Sequence, residues 1–545
     1  MTVTDIIIAF KSYNWGELYS VVKDEKYTKD LPAEKQYTVA IKAMLLASWW
    51  SDNIYSKEIL SNFPRIITEP LTHFAVAYAY MSLGHKKEFE WYMSKLPRKY
   101  PKWMKNYLQL EYFGRSLKDK QQINLVRKLT PKNQYPADYI KVALLQSLEH
   151  DKADTSYLED FIQDINLMED KENPLSKALL LRVNKIKIDA NEDYSFPILQ
   201  SLKMRSLIKN NYVVEALLSG DALAKDKSLD INTIQLWLGI SISIPQGRDY
   251  LAQRIEFAIN LVPNSIFIQG TIASYALINA YIKGDYKTAY NVVKQFNAYT
   301  QLPQTNHTRN AQIFFGYVFF LCVNWQKNQQ LYSKKINAKK LIVLGESHSL
   351  SLSNININIA GEDYIVKSNF ILGVKMHYLA TPSISFHAKC LVENINALEE
   401  NSDVMFTIGE IDTRPDGGIW KAHTKKGIEL DKVIKDTIHG YIDFLYDNLK
   451  DKKLKTVTIQ GIPAPNYKLI GDKDPIDKEG FLNMIKTVNE TLKKYTLEKD
   501  WRFLDVYNAT LGEDGKSNKK WHIDAYHLKP QFYLGVNEWL INTKI

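Results

Sequence analysis

The period of the apolar residues changes once along this chain, and that change limits the fold more than any other feature. Up to about residue 330, apolar side chains recur at helical spacing, and breakers fall between the apolar stretches rather than inside them. After it, short β-branched runs alternate with amphipathic stretches. The first pattern predicts an all-α domain over residues 1–330. The second predicts βαβ units over residues 331–545, hence an α/β domain whose parallel sheet is covered on both faces. The connection is expected between Asn328 and Lys340. A chain of 545 residues exceeds what one ordinary core holds, which agrees with two domains.

Composition narrows the class further. Apolar residues make up 45% and charged residues 24%, with 33 tyrosines and 11 tryptophans, the balance of a folded chain rather than a disordered one. The net charge of +9 is mild for this length. It eases encounter with anionic glycans, nucleotide-linked sugars or a membrane surface and chooses among none of them. Lys425-Lys426 and Lys452-Lys453 read as solvated faces, because no nucleic-acid-binding module accompanies them. Cys322 and Cys390 are too few and too far apart for a disulfide framework or a metal site, so both are expected as buried thiols. No metal and no cofactor is expected. The N-terminus has no basic segment before its short apolar run, and no stretch of about 18 apolar residues occurs, so the expected location is the cytoplasm without a membrane span.

In the first part, Ala273 to Phe296 is the most regular segment. Ala276 and Ala280 fall on one helix face, Gly284-Asp285 makes a turn, and Tyr286, Ala289 and Val293 begin the stripe of a second helix. Small residues let two antiparallel helices approach, and glycine gives the turn its backbone freedom. His73–Pro97, with Ala75, Ala79 and Gly84, repeats the pattern, and Ile255–Ser265 ends a similar helix on Pro263. These segments resemble tetratricopeptide repeats, whose helix–turn–helix units of about 34 residues stack into a superhelix. The stretch from Asp151 to Asn210 fits no repeat. Trp49-Trp50 and Trp91-Tyr92 read as packing between helices. No cluster of His, Asp and Glu gives this part a chemistry of its own.

In the second part, strands are expected at Lys340–Leu344, Tyr364–Leu372, Val404–Ile408, Thr456–Gln460 and Arg502–Val506. Helices are expected at Ala388–Glu399, Leu430–Leu449, Lys478–Tyr495 and Gln531–Ile541. Sites on such sheets lie at the carboxyl ends of the strands. Gly345-Glu346-Ser347-His348-Ser349 follows the first strand, where glycine permits a sharp turn and a serine is presented at the sheet edge. Ser347 there is equally a nucleophile near backbone N–H groups or, like Ser349, the cap of a short helix. Asp524-Ala525-Tyr526-His527 lies near the chain end, with a spacing that can set a carboxylate against the second ring nitrogen of a proton-accepting imidazole.

Together these two blocks resemble the first and last blocks of SGNH/GDSL hydrolases, the first written Gly-Asp-Ser in that family. The resemblance spans Lys339 to Ile545. It implies a flavodoxin-like parallel sheet sandwich and acyl chemistry through an acyl-serine, with Ser347 as nucleophile, His527 as general base and Asp524 as its orienter. It also puts Gly373 where a glycine N–H joins the oxyanion hole, although an ordinary turn glycine suits that position equally. The third block departs from the family's Gly-x-Asn-Asp: in Gly409-Glu410-Ile411-Asp412-Thr413-Arg414, Ile411 replaces the donor Asn. This form resembles a divergent branch in which a cysteine is expected where Thr413 stands. Arg414 either replaces the lost donor or grips an anionic substrate, or it belongs to an ion-pair network with Glu410 and Asp412. His348, His377, His387 and His522 are not assigned roles, His522 for want of the spacing to a carboxylate that His527 has.

The resemblance implies an O-acyl esterase or acyltransferase, acetyl first among the acyl groups, acting on a carbohydrate or glycoconjugate. The alternative is an adaptor whose helical repeats bind a protein partner beside an SGNH-like domain that has lost activity.

Overall fold

The computed structural model describes residues 86–100, 210–225, 231–261, 266–301, 309–332, 338–359, 361–381, 385–415, 417–466, 477–535 and 541–542. A few single positions between 70 and 109 and between 203 and 208 are described as well. Trp49-Trp50, residues 151–202 and most of the expected helix pair around His73 lie outside them.

The chain is mixed α/β. Before Lys339 the described residues form helices and no strand, chiefly Val213–Lys225, Ile231–Ser243, Leu251–Leu261, Ile266–Lys283, Tyr286–Gln295 and Arg309–Lys327. The turn expected at Gly284-Asp285 is present. Gly284 takes φ +74°, a left-handed value that glycine adopts without strain, and the Asp285 side chain accepts from Thr288 N at 3.1 Å to cap the next helix. Tyr286, Ala289 and Val293 are buried as that helix's inner stripe. Tyr92 is buried and stacks on Tyr80 with centroids 5.4 Å apart, which is inter-helix packing.

The sheet begins at Lys339–Gly345 (β1), whose exposed Lys339 and Lys340 give way to buried Leu341, Val343 and Leu344. Next come Asn356–Ile359 (β2), Glu362–Phe370 (β3), Asp403–Thr407 (β4), Thr456–Gln460 (β5), Arg502–Leu504 (β6) and Ile541–Asn542 (β7). The seven strands lie in the order β2-β3-β1-β4-β5-β6-β7. The central run β3-β1-β4-β5-β6 is parallel throughout, and the two edge strands β2 and β7 are antiparallel. Helices Phe386–Asn396, Leu430–Leu449 and Lys478–Glu498 connect the parallel strands, each opened by a side-chain cap from Ser385, Glu429 or Asp477.

Several elements differ from expectation: Met376–Ala380, Gly418–Lys426 and Val506–Thr510 are helices that were not expected, Val506 falls in the last of them rather than in a strand, and two differences bear on the sheet edges. The last four residues of the alternation Asn354-Ile355-Asn356-Ile357-Asn358-Ile359 form the edge strand β2, with Ile357 and Ile359 buried against the core. Of the helix expected over Gln531–Ile541, residues 536–540 lie outside the described residues; those described form a 3-10 helix at Pro530–Gly535 and a strand at Ile541–Asn542 that pairs with β6. Phe532 and Tyr533 are both buried, so consecutive side chains serve the core there and tertiary packing overrides helical spacing.

The change of secondary structure near residue 330 is not a break in packing. One continuous apolar core runs from Met204 to Tyr533. Helix 309–327 is its shared wall: Phe315 packs edge-on to Tyr299 and Trp325 stacks on Tyr286 on the helical side, while Phe314 meets Phe370 of β3. Among the described residues no helix is long and apolar enough to cross a membrane.

Candidate active site

Ser347 sits where β1 ends. Gly345 lies against Thr407 of β4 in the parallel register, and a Cβ there would stand 2.0 Å from Thr407 Oγ1 and 2.6 Å from Thr407 O. Only a glycine lets the two strand ends approach so closely. The chain then turns into the short helix His348–Ser351. Ser347 occupies its cap position, but its side chain makes no cap bond. Ser349 Oγ turns back to donate to Glu346 O at 2.8 Å.

The structure brings Ser347, His527 and Asp524 together. His527 Nε2 is 2.8 Å from Ser347 Oγ, and His527 Nδ1 is 2.7 Å from Asp524 Oδ2. Asp524 Oδ1 accepts from the backbone N–H groups of Tyr526 at 2.8 Å and His527 at 2.7 Å, so the tight loop fixes the carboxylate against the ring. Burial would raise the Asp524 pKa, but the His527 imidazole and those N–H groups outweigh it and hold the carboxyl at about 2. A hydroxyl bonded to an imidazole whose other nitrogen faces a carboxylate can pass its proton to that ring.

A second acid–base pair adjoins the first. Glu346 bonds the Ser347 hydroxyl through Oε2 and His348 Nδ1 through Oε1, the latter at 2.6 Å. His348 Nε2 faces the Tyr526 carbonyl at 3.2 Å. Both partners of this imidazole are acceptors, so it is satisfied only when it carries both protons. Burial opposes both charges, yet mutual attraction wins: Glu346 is held at about 2 and His348 is raised above its ordinary value. The rings of His348 and His527 are 5.2 Å apart. Ser347 therefore has two acceptors competing for one proton.

One contact comes from the helical part. The ring of Tyr317, on helix 309–327, stacks on His527 with centroids 3.8 Å apart and planes 18° apart. Its single hydroxyl proton is shared between Ser351 Oγ at 2.6 Å and Ser347 O at 3.2 Å.

Arg414 grips Glu410 through Nε at 3.0 and 3.1 Å and Nη2 at 2.6 Å, and its guanidinium lies 4.2 Å from the centre of the Tyr526 ring. Burial alone would lower the Arg414 pKa; the Glu410 carboxylate outweighs it and raises it. Asp412 belongs to a different neighbourhood: it accepts from Met376 N at 2.8 Å and His377 N at 3.2 Å, and burial pushes its pKa up to about 6. Thr413 Oγ1 donates to Glu410 O at 2.9 Å. Gly373 takes φ +71° in the turn after β3, with the His387 ring as the nearest group a Cβ would meet. Among the described residues it forms no hydrogen bond to Ser347 or His527. His522 bonds Ser517 Oγ at 2.8 Å rather than Asp524, and burial lowers its pKa to about 4.

Ser347 and His527 are only 5% and 4% exposed, and the two cavities beside Glu346, His348 and Tyr526 measure about 10 Å³ each. A cleft of about 1200 Å³ between helix 478–498 and residues 503–516 includes neither residue. No group of three or more His, Cys, Asp or Glu suited to a metal occurs among the described residues.

Sequence reasoning assigned no role to Glu346, His348 or Tyr317. The first two lay in view, two positions apart around the serine. Tyr317 is 30 residues upstream on a helix, and no local spacing ties it to His527. No protein-family model, no curated protein and no solved structure matches this chain, and the site is defined by its geometry alone.

Proposed function

We propose that this chain is a serine-dependent O-acyl esterase or acyltransferase of the SGNH/GDSL kind, acting on an acylated carbohydrate or glycoconjugate. The observation that carries the reading is the hydrogen-bonded series Ser347 Oγ, His527 Nε2, His527 Nδ1 and Asp524 Oδ2, with both links under 3 Å. In this reading His527 takes the Ser347 proton while Oγ attacks the ester carbonyl, and it returns that proton to the departing alcohol. The acyl group then passes from Ser347 to water or to a second hydroxyl. Asp524 holds the ring in the required tautomer. Numbered among themselves, the five parallel strands lie in the order 2-1-3-4-5, which agrees with a flavodoxin-like sheet, and Ser347 follows the carboxyl end of the first. The carbohydrate rests on the family resemblance, since a fold does not choose a substrate.

A second reading is favoured by the burial of Ser347 and His527, the absence of a donor at Ile411 and the engagement of Arg414 by Glu410. In it the helical part binds a protein partner and the α/β part is inactive. Fluorophosphonate labelling of wild type and Ser347→Ala, run beside a screen of acetylated sugars, separates the two. Labelling lost in the alanine variant supports the enzyme; a folded wild type that never labels supports the adaptor.

A further inference from the structure

We infer that Tyr317 is a positioning residue for His527, so that the site is completed by the helical part of the chain. The inference rests on the serine-hydrolase reading above and extends it across the change of secondary structure.

It begins with the sequence of helix 309–327. Phe314, Tyr317, Leu321 and Asn324 recur at spacings of three and four, which aligns them along one face. That face meets the α/β part at separate places. Phe314 packs edge-on to Phe370 at the end of β3. Asn324 and Gln531 exchange amide bonds of 3.0 and 3.2 Å on the segment following His527. Tyr317 therefore approaches the imidazole on a helix anchored on both sides.

Its geometry does two things. The stacked ring covers one face of His527 and limits rotation of the imidazole out of the plane that joins Asp524 to Ser347. The hydroxyl bridges Ser351 and the Ser347 carbonyl, tying the serine's turn to the same ring. Ser351 Oγ also donates to Leu528 O at 2.5 Å, immediately after His527. Tyr317 is buried, and burial raises its pKa well above the ordinary value, so it stays a neutral donor. It reaches no reacting atom. Its effect passes through the orientation of His527 and the backbone of Ser347.

The test uses the full chain in five forms: wild type, Ser347→Ala, His527→Asn, Tyr317→Phe and Tyr317→Leu. Phenylalanine keeps the stacked ring and loses the hydroxyl; leucine loses both. The first readout is the fluorophosphonate labelling rate per folded molecule. Tyr317→Leu is expected to slow labelling by about 100-fold, and Tyr317→Phe by no more than about 10-fold, because misorientation of a reacting group is costly. The second readout, independent of activity, is the ring N–H resonance of His527 in ¹⁵N-histidine protein, identified by its loss in His527→Asn. The proton shared with Asp524 is expected to be protected from exchange in wild type and Tyr317→Phe, and lost to exchange in Tyr317→Leu. Labelling of Tyr317→Leu at the wild-type rate with its N–H signal intact would overturn the inference, even if its melting temperature fell. Should wild type not label at all, the enzyme reading fails separately. The N–H signal then decides the role of Tyr317: persistence in the leucine variant refutes it, and loss rescued by phenylalanine supports it.

Discussion

Gly345 of β1 and Thr407 of β4 face each other at the carboxyl ends of neighbouring parallel strands, too close for any side chain on Gly345. Gly345→Ala is therefore expected to lower stability by about 1–3 kcal/mol through overpacking and to displace the turn that carries Ser347. Adding Thr407→Ala should restore only part of this loss, because the Thr407 carbonyl, 2.6 Å from the added carbon, remains. Thr407→Ala alone should be close to neutral, since its buried Oγ1 has no hydrogen-bond partner. Urea midpoints of the three variants check this.

The Glu346–His348 pair predicts a defined pH dependence. Glu346 has its folded pKa lowered to about 2, so its contribution is complete above its ordinary 4.5 and is lost as pH falls through about 2. His348 has its folded pKa raised, so its contribution is complete below its ordinary 6.5 and is lost as pH rises through the folded value. Glu410 and Arg414 also face His348, with opposing effects. Removing one partner of a buried pair costs about 3–5 kcal/mol, and the double replacement should cost less than the sum of the two. Glu346→Gln should be most destabilising near pH ~5.5 and less so towards pH ~9. A difference that stays flat across that range would contradict the assignment of His348 as a cation.

Asp524→Asn keeps the shape of the loop and removes the charge that fixes the His527 tautomer. If the serine-hydrolase reading holds, labelling of Ser347 should fall by about 10⁴-fold with the fold retained. Circular dichroism run beside the labelling separates loss of orientation from loss of structure. Stability should also respond to acid: the Asp524 contribution is complete above its ordinary 3.8 and is lost as pH falls through about 2.

Arg414→Lys tests whether the third strand end serves substrate or structure. The observed fork on Glu410 and the face-on contact with Tyr526 need a planar guanidinium, which lysine lacks. The expected outcome is a loss of about 1–2 kcal/mol with labelling per folded molecule nearly unchanged, Arg414 being 27% and Glu410 6% exposed. A normal melting temperature with strongly reduced labelling would instead give Arg414 a direct role at the site.

The parallel strands were legible because each is a short apolar run, and Leu430–Leu449 had the same bounds in sequence and structure. The juxtaposition of Ser347, His527 and Asp524 is what the resemblance of the Gly345–Ser349 and Asp524–His527 blocks implies; the rule that such sheets carry sites at their carboxyl edges points to the first block alone, because the second lies on a loop 20 residues beyond the end of β6. What escaped was of three kinds. The Asn–Ile alternation of β2 is a period-two signal, but it is only four residues long and sits at a sheet edge. The end of the chain formed a 3-10 turn and a paired edge because burying Phe532 and Tyr533 overrode local helical spacing. Tyr317 had no local signal at all, since its partner stands 210 positions later and only the assembled core joins them.

Helix 309–327 also bears on how such a protein can be dissected. A recombinant fragment starting at Lys339 would keep all of β1–β7, yet it would uncover Phe370 and the His527 ring on one side of the cut. A fragment ending near residue 330 would uncover Phe314 and Tyr317 on the other. Each half would carry a raw apolar scar and tend to self-associate. The separable unit, for expression or for shuffling between genes, therefore begins no later than Arg309.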